Sequence, residues 1–379
     1  MAILAELRAS RATGAGLAAV GVFWGGFTAF LPEYKEAAAA SDAQLGVVLI
    51  LSAVGGIAAM AASPRVIAAL GQWALPLAAV LMALAAMLPL LTVGLWSLAA
   101  VLLLMGAAMS TLDIATNVRI SVLEDRLALP LMNLNHALFS FTFAVTAFGI
   151  GLARKADWTP IEVTPLIALA LLVLAVLMIE RADPPHTPSD SDGVAISPWG
   201  AILPAAAILF AAFVSENATE TWSALHIERT LGGVSGDGSF GPAMLGLTMG
   251  IGRMSGQFLA SRMGEARLVA GSAVIGVFGA LVVALAPVQG VALIGVALIG
   301  LGVAVVVPSA NSLLGRAVAP TLRGYAISRA WMIGFTGFFL GPVAMGLVAQ
   351  TAGLRWSFAA VACTMALILP GLARLARLR

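Results

Sequence analysis

The chain is poor in the residues that build disulfide frameworks, metal centres and charged surfaces. It has a single cysteine, Cys363, three histidines, and charged side chains at only 10% of its positions. One cysteine within an apolar run excludes a disulfide framework and a thiolate metal site. The histidines (His136, His186 and His226) are too scattered to suggest a metal site either. We therefore expect neither a metal ion nor a cofactor.

Motifs for binding nucleotides and nucleic acids are also missing. The glycine-rich run 232–241 has no Lys-Ser/Thr ending and follows no predicted strand, so we expect an outer loop and not a phosphate cradle. The basic residues form no patch with interleaved aromatic side chains, so we expect no nucleic-acid partner. These absences make direct drive by ATP unexpected, and nothing in the pattern indicates an enzyme.

Long apolar runs fill the chain instead. Hydrophobic residues make up 61% of its 379 positions, more than a soluble domain of this length can bury. The runs have the length of transmembrane helices, which satisfy their own backbone hydrogen bonds in lipid. The first run lacks a convincing cleavage site, so we expect it to be retained. We predict about twelve spans, near 12–32, 44–63, 73–92, 95–118, 130–152, 161–180, 198–224, 242–261, 267–287, 290–314, 324–349 and 355–375.

The charges in the gaps between spans predict the orientation. With both termini in the cytoplasm, thirteen arginines lie on the cytoplasmic side, and the basic residues outside are only Lys35, Arg154, Lys155, Arg229 and Arg355. This bias follows the positive-inside rule. We therefore expect a multi-pass, monomeric protein of a bacterial inner membrane or plasma membrane, with both termini cytoplasmic and lipid around it.

A polar segment divides the chain into two halves. Residues 181–197 are rich in proline, serine and aspartate and predict a cytoplasmic linker between six-helix halves at 1–180 and 198–379. The two halves show weak internal sequence similarity. Span two begins with Leu45-Gly46 and span eight with Leu245-Gly246, and each of these spans ends in a short turn that contains Gly and Arg. A duplicated half of this kind is typical of secondary transporters.

These features together resemble the major facilitator superfamily over nearly the whole chain. Three stretches resemble its fucose-permease-like branch: 112–117 in span four, 135–140 in span five, and Glu216 followed by Trp222-Ser223 in span seven. The resemblance implies an all-α polytopic membrane protein with about twelve transmembrane helices in two pseudo-symmetric six-helix bundles. It also implies a carrier that works by alternating access.

Acidic side chains at membrane depth are costly, so each should face a cavity, a partner or a proton path. Glu216 and Glu220 stand four apart on one face of span seven, and two carboxylates this close resist joint ionisation. We predict that they couple transport to protons, with Asp113 and His136 as further candidates. Other interpretations stay open: Glu220 can be solvated, Asp113 can act as a gate or make a hydrogen bond in helix packing, and His136 can be structural.

Two arginines within spans also need an explanation. Arg253, close to the middle of span eight, is expected to pair with Asp113 or Glu216, whereas Arg329 can extend to the cytoplasmic interface. Either can instead bind an anionic solute. Candidate solute contacts, several of which can equally serve packing, are Trp24, Phe23, Phe27, Asn117, Asn133, Trp222 and Asn311.

The function predicted from these residues is secondary active transport of a small organic solute, with proton-coupled symport as the expected drive. Two other readings stay open. Efflux of amphipathic compounds is favoured by abundant methionine and aromatic residues, but span one has no extra acidic residue. A non-transporting sensor or assembly protein of the same fold is disfavoured because the chain has almost no extramembrane sequence in which to dock a partner.

Overall fold

The computed structural model describes residues 2–127, 129, 131–180, 198–319 and 322–377, and all regular structure in these ranges is helical. The predicted linker 181–197 lies outside the described residues. Three short 3₁₀ segments and one π-helical segment, His226–Thr230, accompany the α-helices. The α-helices are α1 (Ala2–Ala9), α2 (Arg11–Ala29), α3 (Leu31–Ala37), α4 (Asp42–Leu70), α5 (Ala74–Ala86), α6 (Leu95–Leu127), α7 (Met132–Lys155), α8 (Pro160–Leu177), α9 (Trp199–Leu225), α10 (Phe240–Met263), α11 (Glu265–Leu285), α12 (Gln289–Ala304), α13 (Val306–Ala317), α14 (Arg323–Gly334), α15 (Thr336–Ala352), α16 (Leu354–Ala366) and α17 (Ile368–Ala376).

The predicted fold class is confirmed. Eleven helical stretches in the described ranges are long and apolar enough to cross a bilayer. The remaining predicted span, span eight, is α10, whose 24 residues extend about 36 Å at the usual rise of an α-helix. Spans one to six are α2, α4, α5, α6, α7 and α8, and spans seven to twelve are α9, α10, α11, α12 with α13, α14 with α15, and α16 with α17.

Spans ten, eleven and twelve, each predicted as one continuous helix, are broken. Val305 separates α12 from α13 three residues before Pro308, and Leu367 separates α16 from α17 three residues before Pro370. Proline has no N–H for the carbonyl four residues earlier, and its ring clashes with that carbonyl, so the helix breaks there. The third break, at Phe335, has no proline in the corresponding position.

Span four is longer than the sequence predicts, because α6 continues from the predicted end at 118 to Leu127. Its charged last turns stay helical because they have partners. Arg119 Nε lies 2.9 Å from Glu180 Oε2, and Glu124 accepts hydrogen bonds from two backbone N–H groups at the start of α7. The predicted end at 118 puts Asp113 little more than one turn from the end of its helix, and this is wrong, because Asp113 lies about four turns before that end.

Arginine side chains tie the ends of the spans together within each bundle. Arg11, at the start of α2, donates to two carbonyls at the C-terminal end of α8, at 2.7 and 2.8 Å. Arg355, at the start of α16, donates to two carbonyls at the end of α11, at 3.2 and 2.8 Å. The last carbonyls of a helix lack partners within the helix, so a cation placed there satisfies them and complements the helix dipole.

The two bundles meet along two helix pairs, α4 with α15 and α7 with α10. Glycine permits the close approach at both. A Cβ on Gly46 would stand 2.6 Å from the carbonyl oxygen of Pro342, and one on Gly246 would stand 2.6 Å from the ring of Phe143. Polar side chains from the two bundles therefore come within hydrogen-bonding reach. We refer to the face that carries α3 and residues 226–240 as the outer face, following the predicted orientation, and to the opposite one as the inner face.

Candidate functional site

Two carboxylates lie on one face of α9, one turn apart. Glu216 and Glu220 are 8% and 3% exposed, so the alternative that Glu220 is simply solvated is wrong. Glu220 Oε2 accepts a hydrogen bond from Trp24 Nε1 at 3.1 Å. Because Trp24 is on span one and Glu220 on span seven, this hydrogen bond joins the two bundles.

Arg253 makes a second connection between the bundles. Of the two acidic partners expected for it, the structure pairs it with Glu216, whose Oε1 lies 3.1 Å from Arg253 Nη2. Its other terminal nitrogen, Nη1, donates to Ser140 Oγ at 2.6 Å and to the carbonyl oxygen of His136 at 3.4 Å, both on α7. The arginine thus holds an anion of its own bundle and neutral acceptors of the other.

The remaining polar groups continue from α7 into α6. His136 Nε2 lies 3.2 Å from Asn117 Oδ1, and Asn117 Nδ2 donates to Asp113 Oδ1 at 3.0 Å. Because the amide oxygen of Asn117 can only accept, His136 carries its hydrogen on Nε2 in this arrangement. The histidine and the aspartate are therefore linked through one amide.

We call the connected residues the central polar cluster: Trp24, Asp113, Asn117, His136 and Ser140 of the first bundle, with Glu216, Glu220 and Arg253 of the second. Its carboxyls and its imidazole can bind and release protons, whereas its guanidinium stays charged. Across the described ranges, no three His, Cys, Asp or Glu side chains lie close enough to hold a metal ion.

Ser140 was not among the predicted site residues, although it ends the quoted stretch 135–140. Its hydroxyl accepts from Arg253 and donates to the carbonyl oxygen of His136 at 3.1 Å, and the residue is 1% exposed. The available signal was its position four residues after His136, which places both on one face of span five. Serine is common in membrane helices, so that signal is weak without the contact itself.

The predicted aromatic contacts lie in the first bundle. Phe23 and Phe27 line a small cavity together with Tyr34 and residues of spans three, four and six. Phe27 also stacks on Trp24, with ring centroids 5.3 Å apart. Phe27 therefore contacts the central polar cluster through Trp24.

Four further predicted residues are placed elsewhere. Trp222 is fully buried in the apolar core. Asn311 accepts a hydrogen bond from Trp331 Nε1 at 2.9 Å, which joins spans ten and eleven within the second bundle. Arg329 is exposed on α14. The side chain of Asn133 lies outside the described residues.

A separate group of charges ties the bundles together at the outer face. Its centre is Arg154, at the end of α7 and only 4% exposed. Arg154 Nε lies 2.5 Å from Glu33 Oε1, and Arg154 Nη1 lies 2.8 Å from Glu228 Oε1 in the second bundle. The same guanidinium donates to Ser239 Oγ and to the carbonyl oxygen of Ala29. One buried cation therefore serves two carboxylates from opposite bundles.

Two more ion pairs cross between the bundles beside it. They join Lys155 to Asp237, at 2.6 Å, and Arg229 to Asp42. We call Glu33, Asp42, Arg154, Lys155, Glu228, Arg229 and Asp237 the outer latch. At the inner face, the ion pairs between two described residues, Arg119 with Glu180 and Arg316 with Glu265, each stay within one bundle. This conformation is therefore held closed at the outer face.

Two carboxyls of the outer latch have shifted pKa values in opposite directions. Burial raises the pKa of Glu33 and outweighs the opposing charge of Arg154, and the carboxylate of Glu228 adds to the rise. Burial works in the same direction on Asp237, but hydrogen bonds from Lys155 and from the Val234 N–H outweigh it and lower the pKa of Asp237. Glu33 is therefore the latch carboxyl that takes up a proton more easily than a free glutamate.

Several known proteins that this chain is similar to are named as transporters. A family model described as Major Facilitator Superfamily matches residues 13–327. An uncharacterized MFS-type transporter of Yersinia pestis is 26% identical over 341 residues, which cover 88% of this chain and 86% of that protein. An uncharacterized transporter of Sinorhizobium fredii is 26% identical over 371 residues, which cover 94% of this chain and 96% of that protein. The crystal structure of a D-xylose-proton symporter superposes with a TM-score of 0.72 at 14% identity, covering 99% of this chain and 97% of that chain, and this likeness concerns the fold alone.

Proposed function

The chain belongs to the Major Facilitator Superfamily, and from this premise we propose that it is a proton-coupled secondary transporter of a small organic solute. In this proposal the six-helix halves at 1–180 and 198–379 move against each other to give alternating access. The observation that carries it is the central polar cluster, in which titratable groups of one half contact the other half directly.

The proposed coupling step centres on Glu216. While it is ionised, it holds Arg253, and Arg253 at the same time holds Ser140 and the His136 carbonyl on the other half. A proton on Glu216 converts a charge-assisted hydrogen bond into a weaker neutral one. The guanidinium is then less restrained, and the contact with the first half loosens. Glu220 accepts a hydrogen bond from Trp24, and this second connection between the halves would also weaken when the carboxylate takes up a proton.

Asp113 and His136 extend this proposal into the first half. Their link through Asn117 places two more proton-binding groups within a few hydrogen bonds of Arg253. In the proposed orientation, with both termini cytoplasmic in an inner membrane, they lie on the inner side of Glu216. A solute and a proton that enter from outside would meet Glu220 and Glu216 first.

Proteoliposomes test the proposal with a panel of pentoses, nucleosides, amino acids and organic amines. A panel member that binds the native state raises the thermal midpoint of the purified protein by mass action. We expect such a compound to acidify vesicles loaded with pyranine when it is added outside. Glu216→Gln should abolish that acidification, and Glu36→Gln, an exposed acid on α3, should leave it intact. Uptake that ignores an imposed pH gradient and is unchanged in Glu216→Gln would refute the proposal.

Three finer expectations stay predictions. Membership of the fucose-permease-like branch rests on the stretches 112–117, 135–140 and Glu216 with Trp222-Ser223. The monomeric state and the cytoplasmic position of both termini rest on the sequence pattern. Cysteine labelling of the termini from either side of the membrane tests the orientation independently of transport.

A further inference from the structure

Arg154 of the outer latch is shared by two carboxylates that are not equivalent. Glu228 Oε1 also accepts hydrogen bonds from the backbone N–H groups of Gly236 and Gly238, at 3.2 and 3.1 Å. With Arg154 Nη1 at 2.8 Å, three donors therefore contact Glu228 Oε1.

Glu33 is less well supported, and only one of its two carboxylate oxygens has a partner within the described ranges. Its Oε1 faces Arg154, but its Oε2 is buried and has no hydrogen-bond partner among the described residues. A buried carboxylate oxygen without a donor carries a desolvation cost that a proton removes. The geometry thus leaves an empty proton position on one of the two acids that compete for Arg154.

We propose that Glu33 is a second proton-binding site of the transport cycle, occupied when the outer latch is closed and vacated when the two bundles separate at the outer face. This inference rests on the proposed function, because it assumes that the outer face opens during the cycle. Separation would take Glu228 away from Glu33 and Arg154, which share the first bundle, and would expose the Glu33 carboxyl to water, where a glutamate ionises with a pKa of about 4.3.

Several other charged groups lie near Glu33, and most of them are paired with each other. Arg154 faces it from α7 and Glu228 faces it from the π-helical segment after α9, while Lys35 is engaged by Asp42 at 3.3 Å. Asp42 and Asp237 are each held by a cation of the opposite bundle. Because the pKa of Asp237 is lowered and that of Glu33 is raised, Asp237 takes up its proton at a lower pH than Glu33 does.

The sign of the pH dependence follows from linkage. The closed state binds the proton on Glu33 more tightly than the open state does, since the pKa of Glu33 is raised in the closed structure. Closure is therefore favoured fully below the ordinary glutamate pKa, and this preference is lost as the pH rises through the raised value. In the predicted orientation, external protons would close the outer face and so promote the change towards the inward-facing state.

Distances between spin labels across the outer face test the proposal. Labels are placed at Ala37 and Val234, exposed positions in the first and second bundles, after Cys363 is replaced by serine. In lipid nanodiscs between pH 4 and 8, we expect the short-distance population to shrink as the pH rises. Glu33→Gln, which cannot ionise, should keep the short population constant over this range. The matched control Glu36→Gln, exposed on the same helix, should respond like wild type.

A second variant keeps the test decisive if Glu33→Gln is poorly folded. Glu228→Gln removes the neighbouring negative charge, so the midpoint of the pH response should move to lower pH. A response that persists in Glu33→Gln, a short population that grows with pH, or an unmoved midpoint in Glu228→Gln would overturn the proposal. Because the readout needs no solute, a latch that ignores pH refutes only this site, and absence of solute-driven proton flux refutes only the proposed function.

Discussion

The ion pair between Arg253 and Glu216 makes a prediction about stability that does not require the solute. Arg253→Met keeps most of the side-chain volume and removes the charge. The two side chains are 14% and 10% exposed, and breaking a buried pair by removing one partner costs about 3 to 5 kcal/mol because the other charge is left uncompensated. Some water reaches both groups, so we expect a loss of about 3 kcal/mol. The loss of the Ser140 contact adds little, since that hydroxyl still donates to the His136 carbonyl.

The double variant Arg253→Met with Glu216→Gln separates charge from packing. Replacing a buried pair by uncharged groups of similar volume is often close to neutral, so the double variant should recover at least about 2 kcal/mol of the loss in the single one. The assay is unfolding in mixed dodecyl maltoside and dodecyl sulfate micelles, followed by tryptophan fluorescence. Arg262→Met, on the same helix but exposed and stacked over Phe258, is the control and should lose less than about 1 kcal/mol. A double variant as unstable as Arg253→Met alone would refute the reasoning.

Two further predictions concern the outer latch and the contact between the bundles. Lys155→Met removes the cation that favours ionised Asp237. Ionised Asp237 stabilises the fold above its ordinary pKa of about 3.9, and this contribution is lost as the pH falls through its lowered value. The variant should therefore melt below wild type at pH 6, the deficit should shrink as the pH falls below the ordinary value, and a deficit that does not shrink would contradict this. Gly246→Ala places a methyl group 2.6 Å from the ring of Phe143, and overpacking of this kind costs about 1 to 3 kcal/mol, so the variant should lose about that much stability in the same unfolding assay. Gly271→Ala, with nothing within 4 Å of the added carbon, should be as stable as wild type.

The candidate site could be predicted from the sequence only in its composition. Arg253 in an apolar run had to have an anionic partner, because an unpaired charge at that depth is too costly. The choice between Asp113 and Glu216 needed the packing of α9 against α10, which no local pattern contains. Ser140 and the hydrogen bond from Trp24 to Glu220 were equally out of reach, since the latter joins residues 196 positions apart.

The ion pairs of the outer latch were also not predictable from local sequence. In the sequence, three of the outer basic residues are recognisable only as exceptions to the positive-inside bias: Arg154, Lys155 and Arg229. Their partners Glu33, Asp237 and Asp42 belong to other helical segments of the chain, and only tertiary packing brings the opposite charges together.

What the sequence by itself determined is the number and type of the spans. A bilayer gives unpaired backbone groups no water, so an apolar run of sufficient length has one stable form, and that form depends on nearby residues alone. Which ionisable side chains contact each other, and which close the outer face, was decided by tertiary structure. Such energies depend on distances of a few Å between spans that are far apart in the chain, and only the packed bundles set those distances.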